Sequence, residues 1–226
     1  MSLIDTSFVK SVLNHEAPWS ESHDSSGDYL GLGMLYYSLA YSLRARVAVC
    51  LGSGGGFVPR VLRQAQRDLA IPGSSTILVD ANLPEAGWGA PQWLDSSSFF
   101  RVRYPEVRII QQRTDDAIRE LRSTAVRAEL IHIDADHSYQ QVRRDFENYS
   151  ELLAVGGVIS LHDTGPDRVR DIPGMGVPRL IREIRRSGRW DVLEFSEIAA
   201  GTAVVRRRPQ RTTGLWTRVK HRFRGH

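Results

Sequence analysis

Short apolar runs rich in β-branched residues recur along this chain, and segments with helical periodicity lie between most of them. Each run is bounded by turn residues, as strands are. Strands joined by helical crossovers form a mainly parallel sheet with helices on both faces. The sequence therefore predicts an α/β fold with seven strands, at residues 46–51, 76–79, 107–111, 130–133, 158–161, 192–195 and 202–205. The predicted helices cover residues 58–69, 116–123, 139–153 and 177–187.

The size of the chain limits it to one domain. It has 226 residues, of which 41% are hydrophobic, enough for one buried core. Cys50 is the single cysteine, so no internal disulfide can form. The sequence shows neither a leader-like N-terminal segment nor an apolar run of about 20 residues. We therefore expect a cytoplasmic protein without a membrane span.

Basic residues are concentrated at the end of the chain. Residues 206–226 hold eight Arg or Lys and no acidic residue, which leaves 22 basic and 26 acidic residues elsewhere. We expect one folded domain over residues 1–205 and a basic C-terminal tail over 206–226. Because the body is net acidic, no nucleic-acid-binding face is expected. Residues 214–226 would form either a basic amphipathic helix that contacts an anionic membrane surface or a mobile solvated tail.

A glycine-rich turn follows the first predicted strand. Ligands of open parallel sheets bind beyond the carboxyl ends of the strands, where Gly52, Ser53 and Gly54 would offer backbone N–H groups to a nucleotide-like cofactor. The alternative is an ordinary tight turn between strand and helix. The third glycine of the dinucleotide fingerprint is replaced by Phe57, which disfavours a nicotinamide or flavin cofactor. S-adenosylmethionine has no pyrophosphate and fits this looser turn.

Acidic residues follow the next two predicted strands. Asp80 ends the second strand, where a carboxylate can accept both hydroxyl protons of a ribose. Asp115 and Asp116 follow the third strand and could receive the adenine amino group. Asp116 is the better placed of the two if Thr114 caps the following helix, and helix capping is the alternative role for both.

Residues 82–100 form a connection longer than a turn needs and contain Trp88 and Trp93. Long connections of this kind serve as lids or substrate-binding loops. Trp88 and Trp93 are equally compatible with stacking against a sugar ring and with packing inside an ordered surface loop.

Two further predicted strands end in acidic and histidine residues. Asp134, Asp136 and His137 follow one strand, and His162 and Asp163 end the next. Neighbouring parallel strands would bring both clusters to the same edge of the sheet. Two carboxylates facing one cleft repel each other unless a cation or a proton lies between them. Asp136 is the member that a helix cap explains equally well.

This cluster predicts a metal site between Asp134 and Asp163, which His162 could also coordinate. Oxygen-dominated ligands favour Mg²⁺, and Mn²⁺ is compatible if His162 coordinates. A metal bound to a substrate hydroxyl would lower the pKa of that hydroxyl. His137 is then the candidate general base, with a buried structural histidine as the alternative.

These motifs resemble class I methyltransferases of the macrocin O-methyltransferase type, which are related to the cephalosporin hydroxylase-like proteins. The resemblance covers residues 29–205 and is most specific in IDADHSYQQVRRDFENYSELLAVGGVISLHDT and in GVPRLIREI. It implies a Rossmann-like class I methyltransferase fold, S-adenosylmethionine as methyl donor, Mg²⁺, and a sugar or oligosaccharide hydroxyl as acceptor. Within the group, the size is most similar to that of enzymes that methylate a mannoside in methylmannose polysaccharide synthesis.

The resemblance assigns Asp134 and Asp163 as metal ligands, His162 as the third ligand position and His137 as the general base. The group more often has a carboxylate where His162 stands, which puts the identity of the metal in doubt. It usually has Glu or Asp where this chain has Cys50, so other groups would contact the methionine end of the cofactor.

Two other functions fit parts of the sequence. A nicotinamide-dependent sugar oxidoreductase fits the fold, but the missing third glycine argues against it. A noncatalytic partner with a methyltransferase fold would explain Cys50, but it leaves Asp134, His137 and Asp163 without a role. A homodimer is compatible with the sequence.

Overall fold

The computed structural model describes residues 5–83 and 92–209, apart from the side chains at 170 and 171. A seven-stranded sheet with the order β3-β2-β1-β4-β5-β7-β6 runs through its centre. Only β7 is antiparallel to its neighbours. The predicted Rossmann-like α/β fold is therefore confirmed. The strands are β1 (Val47–Leu51), β2 (Ser75–Val79), β3 (Arg108–Ile110), β4 (Ala128–Ile133), β5 (Leu153–His162), β6 (Trp190–Phe195) and β7 (Thr202–Arg207).

Helices cover both faces of the sheet, and a hydrophobic core lies on each side. Strands buried on both faces read as continuous apolar runs, which is why β1, β2 and β4 were visible in the sequence. The helices are α1 (Thr6–Phe8), α2 (Leu32–Ser42), α3 (Phe57–Asp68), α4 (Phe99–Arg103), α5 (Thr114–Ser123), α6 (Tyr139–Tyr149), α7 (Pro166–Asp171) and α8 (Val177–Arg186). Short π-helical and 3-10 segments lie at Val9–Leu13 and Ser20–His23.

The strand order reverses between β1 and β4. From β1 the chain proceeds outward through β2 and β3, and it then returns to the other side of β1 as β4. Such a reversal opens a crevice at the carboxyl ends of the two central strands. The glycine turn after β1 and Asp134 after β4 therefore lie side by side.

The fifth strand begins earlier than the sequence predicts. α6 ends at Tyr149, four residues before the predicted helix end, and β5 begins at Leu153. The pairing of β4 with β5 shifts register between Ala128 and Leu130, and Gly156 has a φ of +83° there. This bulge uses the glycine pair as part of the strand, whereas the sequence pattern indicated a connection.

The last strand ends two residues past the predicted domain boundary at residue 205. β7 continues to Arg207, whose guanidinium lies 5.0 Å from the ring centroid of Trp190. Arg206 pairs in register with Asp191. These residues belong to the sheet because their backbone completes the ladder with β6. Residues 210–226, including the predicted amphipathic helix, lie outside the described residues.

The N-terminal segment is tied to the domain by a buried arginine that sequence inspection did not single out. Arg60 on α3 has no exposed side-chain surface, and burial lowers its pKa to about 10. Its guanidinium donates to the carbonyl oxygens of Val12, Leu13, His15 and Glu16, at 2.7 to 3.3 Å. Hydrogen bonds to a charged donor are stronger than neutral ones. Arg60 therefore fixes the segment that leads to the site.

The remaining sequence expectations concern the tryptophans of the connection 82–100 and a membrane span. Trp93 is 1% exposed and packs in the core beside α4, which favours the ordered-loop interpretation for this residue. Trp88 lies outside the described residues. Among the helices that the structure describes, none combines the length and the apolar character required to cross a bilayer.

Candidate functional site

A cavity of about 830 Å³ opens at the carboxyl ends of the central strands. Its walls come from the turn after β1, from the residues that follow β2, β3, β4 and β5, and from residues 18–23 of the N-terminal segment. A cavity of this size accommodates a cofactor and part of a second molecule. It contains most of the predicted site residues.

The glycine turn brings backbone close to the cavity. Gly52 has a φ of +72°, and a Cβ there would lie 2.1 Å from the carbonyl oxygen of Asp134. Gly54, at +50°, faces Trp19, and Gly56 caps α3 at +85°. The Ser53 hydroxyl is buried and has no hydrogen-bond partner among the described residues. Glycine is required here because the turn packs directly against the loop that carries Asp134.

Cys50 does not line the cavity. It is completely buried, its thiol donates to the carbonyl oxygen of Gly52 at 3.1 Å, and burial raises its pKa. The thiol therefore supports the turn from inside the core, and no acidic side chain occupies this position.

Asp80 lies in the cavity wall at the end of β2, as predicted. The backbone N–H of Asn82 donates to Asp80 Oδ1 at 2.8 Å. Burial raises the pKa of Asp80 above its ordinary value. The carboxyl group is thus held in a fixed orientation in the cavity wall.

Of the two acidic residues after β3, the structure brings Asp115 and not the predicted Asp116 into the cavity wall. α5 begins at Thr114, and Arg113 is the N-cap, so Thr114 does not cap the helix as assumed. Asp115 lines the cavity, whereas Asp116 is absent from its wall and pairs with Arg119 at 3.2 Å. The earlier helix start rotates Asp116 away from the cleft.

Behind this edge lies a buried carboxyl group that the sequence reasoning missed. Asp145 on α6 has no exposed surface, and its Oδ1 accepts from Gln141 Nε2 at 2.9 Å. Gln141 lines the cavity and also donates to Thr114 Oγ1 at 3.1 Å. Burial raises the pKa of Asp145 to about 6. The network holds the start of α5 against α6.

Four imidazoles surround the carboxylate of Asp134. Nε2 of His137 and Nδ1 of His162 each lie 3.3 Å from Asp134 Oδ1. Nε2 of His23 and of His132 lie 3.7 and 3.8 Å from Asp134 Oδ2. His132 Nδ1 is paired with the Ser160 hydroxyl at 2.8 Å. The sequence predicted His137 and His162 but not His23 or His132.

Asp163 faces the same imidazoles from β5. Its Oδ2 lies 2.9 Å from His137 Nε2 and 3.4 Å from His162 Nδ1, and its Oδ1 accepts from Arg168 Nε at 2.7 Å. The side chain is 3% exposed. A φ of +59° is strained for a non-glycine residue and aims this carboxylate into the cluster.

The loop that carries His137 is tied to the start of α8. The carbonyl oxygen of His137 accepts from the backbone N–H of Gly176 at 2.7 Å. A Cβ on Gly176 would lie 2.1 Å from Tyr139 Cα, so this close approach requires glycine. The GVPRLIREI motif thus supports the histidine, and Asp136 accepts from the Ser138 N–H in an ordinary turn before α6.

The charges of the cluster are strongly coupled. Burial alone would raise the pKa of Asp134 and of Asp163, but the surrounding imidazoles outweigh burial and hold both pKa values below the ordinary range. Burial alone would lower the pKa of His137 and of His162, but the two carboxylates raise both to about 10. Desolvation lowers the pKa of His23. The site therefore holds two ionised carboxylates that need cations beside them.

The donor set fits a divalent metal. Two groups of side chains place one ligand atom each within 4.8 Å of the others: His23, Asp134 and His162, and Asp134, His137 and Asp163. His162 Nε2 lies 3.0 Å from the Ser22 carbonyl oxygen, which can only accept a hydrogen. Because Nε2 carries a hydrogen, a divalent ion bound between Nδ1 and the carboxylates would take the place of the Nδ1 proton that the raised pKa favours.

A family described as "Methyltransferase domain" matches residues 49–164, which is more than half of the chain. The chain belongs to this methyltransferase family. The match spans β1 to the end of the second acidic cluster, and it leaves out the N-terminal segment that supplies His23.

Solved structures of methyltransferases share the fold. An O-methyltransferase from Bacillus cereus, in complex with SAH, is 19% identical, with a TM-score of 0.64 over 89% of this chain and 91% of that one. TomG from Streptomyces achromogenes, an O-methyltransferase involved in tomaymycin synthesis and bound to SAM, is 16% identical, with a TM-score of 0.62 over 86% and 88%. SAH-bound PaMTH1 from Podospora anserina is 16% identical, with a TM-score of 0.61 over 87% and 88%. No curated protein sequence matches significantly.

Proposed function

We propose that this protein is an S-adenosylmethionine-dependent, divalent-metal-assisted O-methyltransferase that acts on a sugar hydroxyl. The observation that carries the proposal is the joining of two features in one cavity. The glycine turn and Asp80 form one wall, and the cluster around Asp134 and Asp163 forms the adjacent one. A methyl donor and a hydroxyl activated at the cluster would then meet across a short distance.

The cofactor assignment rests on the turn and its surroundings. Gly52 and Gly54 allow a ligand to approach the backbone, and the unpartnered Ser53 hydroxyl offers a hydrogen bond. Structures of similar fold from Bacillus cereus and Streptomyces achromogenes contain SAH and SAM. Asp80 would accept the ribose hydroxyls, and Asp115, which lines the cavity, would contact the adenine in place of Asp116.

Asp134, His162 and Asp163 would hold the metal, with Mg²⁺ or Mn²⁺ as candidates, because His162 Nδ1 lies 3.3 Å from Asp134 Oδ1 and 3.4 Å from Asp163 Oδ2. When bound, a divalent ion lowers the pKa of an acceptor hydroxyl and orients its oxygen. The carboxylates are suited to this role because the imidazoles keep both ionised, with Asp163 buried and Asp134 only 15% exposed at its side chain.

His137 is the residue to which we assign the acceptor proton, at Nε2. In the structure Nε2 is shared between Asp134 and Asp163, and these carboxylates keep the ring protonated by raising its pKa to about 10. The ring becomes a base only when those contacts are replaced. His137 is 20% exposed at its side chain and lines the cavity, so the proton has a route to solvent.

The acceptor is assigned to a sugar from the resemblance of the IDADHSY and ISLHDT motifs and from one exposed aromatic residue. Trp19 lines the cavity and is 47% exposed, and an aromatic ring in a cavity wall can stack on a sugar face. Trp93, which the sequence suggested, is buried and has no such access. A mannoside of polysaccharide synthesis is the narrowest acceptor class that we propose.

Methyl transfer to a panel of mannosides and other sugars, followed by mass spectrometry of the products, tests this function. We expect a methylated sugar only when S-adenosylmethionine and a divalent ion are both present. Trp19→Ala should raise KM for the sugar with little change in the affinity for SAH, whereas Trp190→Phe, on the far strand β6, should leave both unchanged. Methylation of a non-sugar hydroxyl alone would contradict the acceptor assignment.

A further inference from the structure

His23 joins the carboxylate cluster from the N-terminal segment. It ends the 3-10 segment Ser20–His23, is 5% exposed and lines the cavity. Its Nε2 lies 3.7 Å from Asp134 Oδ2, while His162 Nδ1 lies 3.3 Å from Asp134 Oδ1. Two imidazole nitrogens therefore face the two oxygens of one carboxylate.

The second nitrogen of each ring has a protein partner. His162 Nε2 donates to the Ser22 carbonyl oxygen at 3.0 Å, and His23 Nδ1 lies 3.3 Å from the Tyr36 hydroxyl. Histidines that bind metals usually have this outer hydrogen bond, which fixes the ring and its tautomer. With Tyr36 accepting from Nδ1, His23 presents the lone pair of Nε2 to Asp134. Adjacent residues of one segment thus orient His162 and supply His23.

The spacing suits a single ion. Ligand atoms about 2.1 Å from one metal lie roughly 3 to 4 Å from each other. The distances of 3.3 and 3.7 Å fall in this range, and His23, Asp134 and His162 form a group whose ligand atoms all lie within 4.8 Å of one another. His132 Nε2, 3.8 Å from Asp134 Oδ2, is buried without a hydrogen-bond partner among the described residues and adds to the nitrogen-rich surroundings.

We propose that His23 is a metal ligand together with His162 and Asp134, and that this site selects a transition-metal ion over Mg²⁺. The proposal rests on the proposed function, since it names the ion of the same site. Mg²⁺ prefers hard oxygen ligands, whereas imidazole favours first-row transition metals. The selectivity arises because the chain supplies two ring nitrogens where an oxygen-only site would supply none.

Metal binding by the purified, chelator-treated full chain tests the inference without any measurement of activity. Mn²⁺ is titrated and followed by electron paramagnetic resonance of the free ion, with Mg²⁺ as competitor. Pulsed resonance then counts the nitrogens bound to Mn²⁺. We expect two imidazole nitrogens and Mn²⁺ binding at least about tenfold tighter than Mg²⁺ binding.

Three variants distinguish the loss of a metal ligand from a loss of the folded structure. His23→Gln should leave one bound nitrogen and weaken Mn²⁺ binding at least about tenfold. His15→Gln is the matched control, because His15 lies on the same segment, half-exposed and edge-on to Phe99, and it should match the wild type. If His23→Gln does not fold, Tyr36→Phe tests the outer hydrogen bond and should weaken Mn²⁺ binding about tenfold while retaining both nitrogens.

One bound nitrogen in the wild type, equal competition by Mg²⁺, or unchanged binding in His23→Gln would overturn the inference. Titration of the metal-free chain with SAH distinguishes this failure from that of the proposed function. If the chain binds SAH but only one nitrogen is bound to Mn²⁺, the role of His23 is contradicted and the methyltransferase function is not. A failure to bind SAH contradicts the methyltransferase function and leaves the nitrogen count as a separate result.

Discussion

Replacement of Gly52 by alanine tests how the glycine turn and the Asp134 loop depend on each other. Gly52 has a φ of +72°, where an alanine costs about 1–2 kcal/mol. A Cβ there would also lie 2.1 Å from the Asp134 carbonyl oxygen and 2.7 Å from Ala135 Cα. Both neighbours are backbone atoms, so the chain must shift, which adds about 1–3 kcal/mol of overpacking. We expect Gly52→Ala to lower the free energy of unfolding by about 2–5 kcal/mol.

Gly188→Ala is the matched control. Gly188 has a similar φ of +65°, but nothing lies within 4 Å of its added Cβ. This variant should lose only the backbone contribution of about 1–2 kcal/mol. Urea unfolding followed by far-ultraviolet circular dichroism gives both values. Equal losses in the two variants would refute the close packing of the turn against Asp134. Because the shifted turn is the proposed cofactor site, unchanged SAH binding by Gly52→Ala would also count against this packing.

Three further predictions concern the residues around the cavity. His137→Ala should bind SAH as the wild type does but lose methyl transfer, and a retained rate in a transfer assay would remove it from the base role. Arg60→Met leaves four backbone carbonyls without their donor, so we expect unfolding by urea to be easier by about 2–4 kcal/mol and Mn²⁺ binding to weaken as His23 loses its support. For Asp145, the folded pKa of about 6 lies above the ordinary 3.8, so its contribution to stability is present below pH 4 and is lost as the pH rises through 6, by about 3 kcal/mol in total. Asp145→Asn should remove this decrease in urea melts across that range, and parallel curves for both proteins would contradict it.

The sequence was informative where an element's position follows from local pattern. β4 and β5 are apolar runs that end in acidic and histidine residues, and parallel strands share their carboxyl edge. The grouping of Asp134, His137, His162 and Asp163 therefore follows from the sequence alone. The same reasoning placed Asp80 beside the glycine turn, because β1 and β2 are neighbours.

Other parts of the site depend on long-range packing that has no periodic signal. His23 reaches Asp134 across more than a hundred residues of sequence, on a segment fixed by the carbonyl contacts of Arg60. The sequence pattern predicts the start of α5 at residue 116, two residues later than the structure has it. Because each helical residue turns the side-chain direction by about 100°, this error favours Asp116 over Asp115. The bulge at Gly156 likewise appears only when the pairing with β4 is known.

The most direct test of the central claim is calorimetric titration of the purified protein with S-adenosylhomocysteine, with and without a divalent ion. The account predicts saturable binding in both conditions, because the residues proposed to bind the cofactor, in the glycine turn and at Asp80, are not among the proposed metal ligands. Absence of binding in both conditions would contradict the assignment of this cavity to S-adenosylmethionine and with it the proposed methyl transfer.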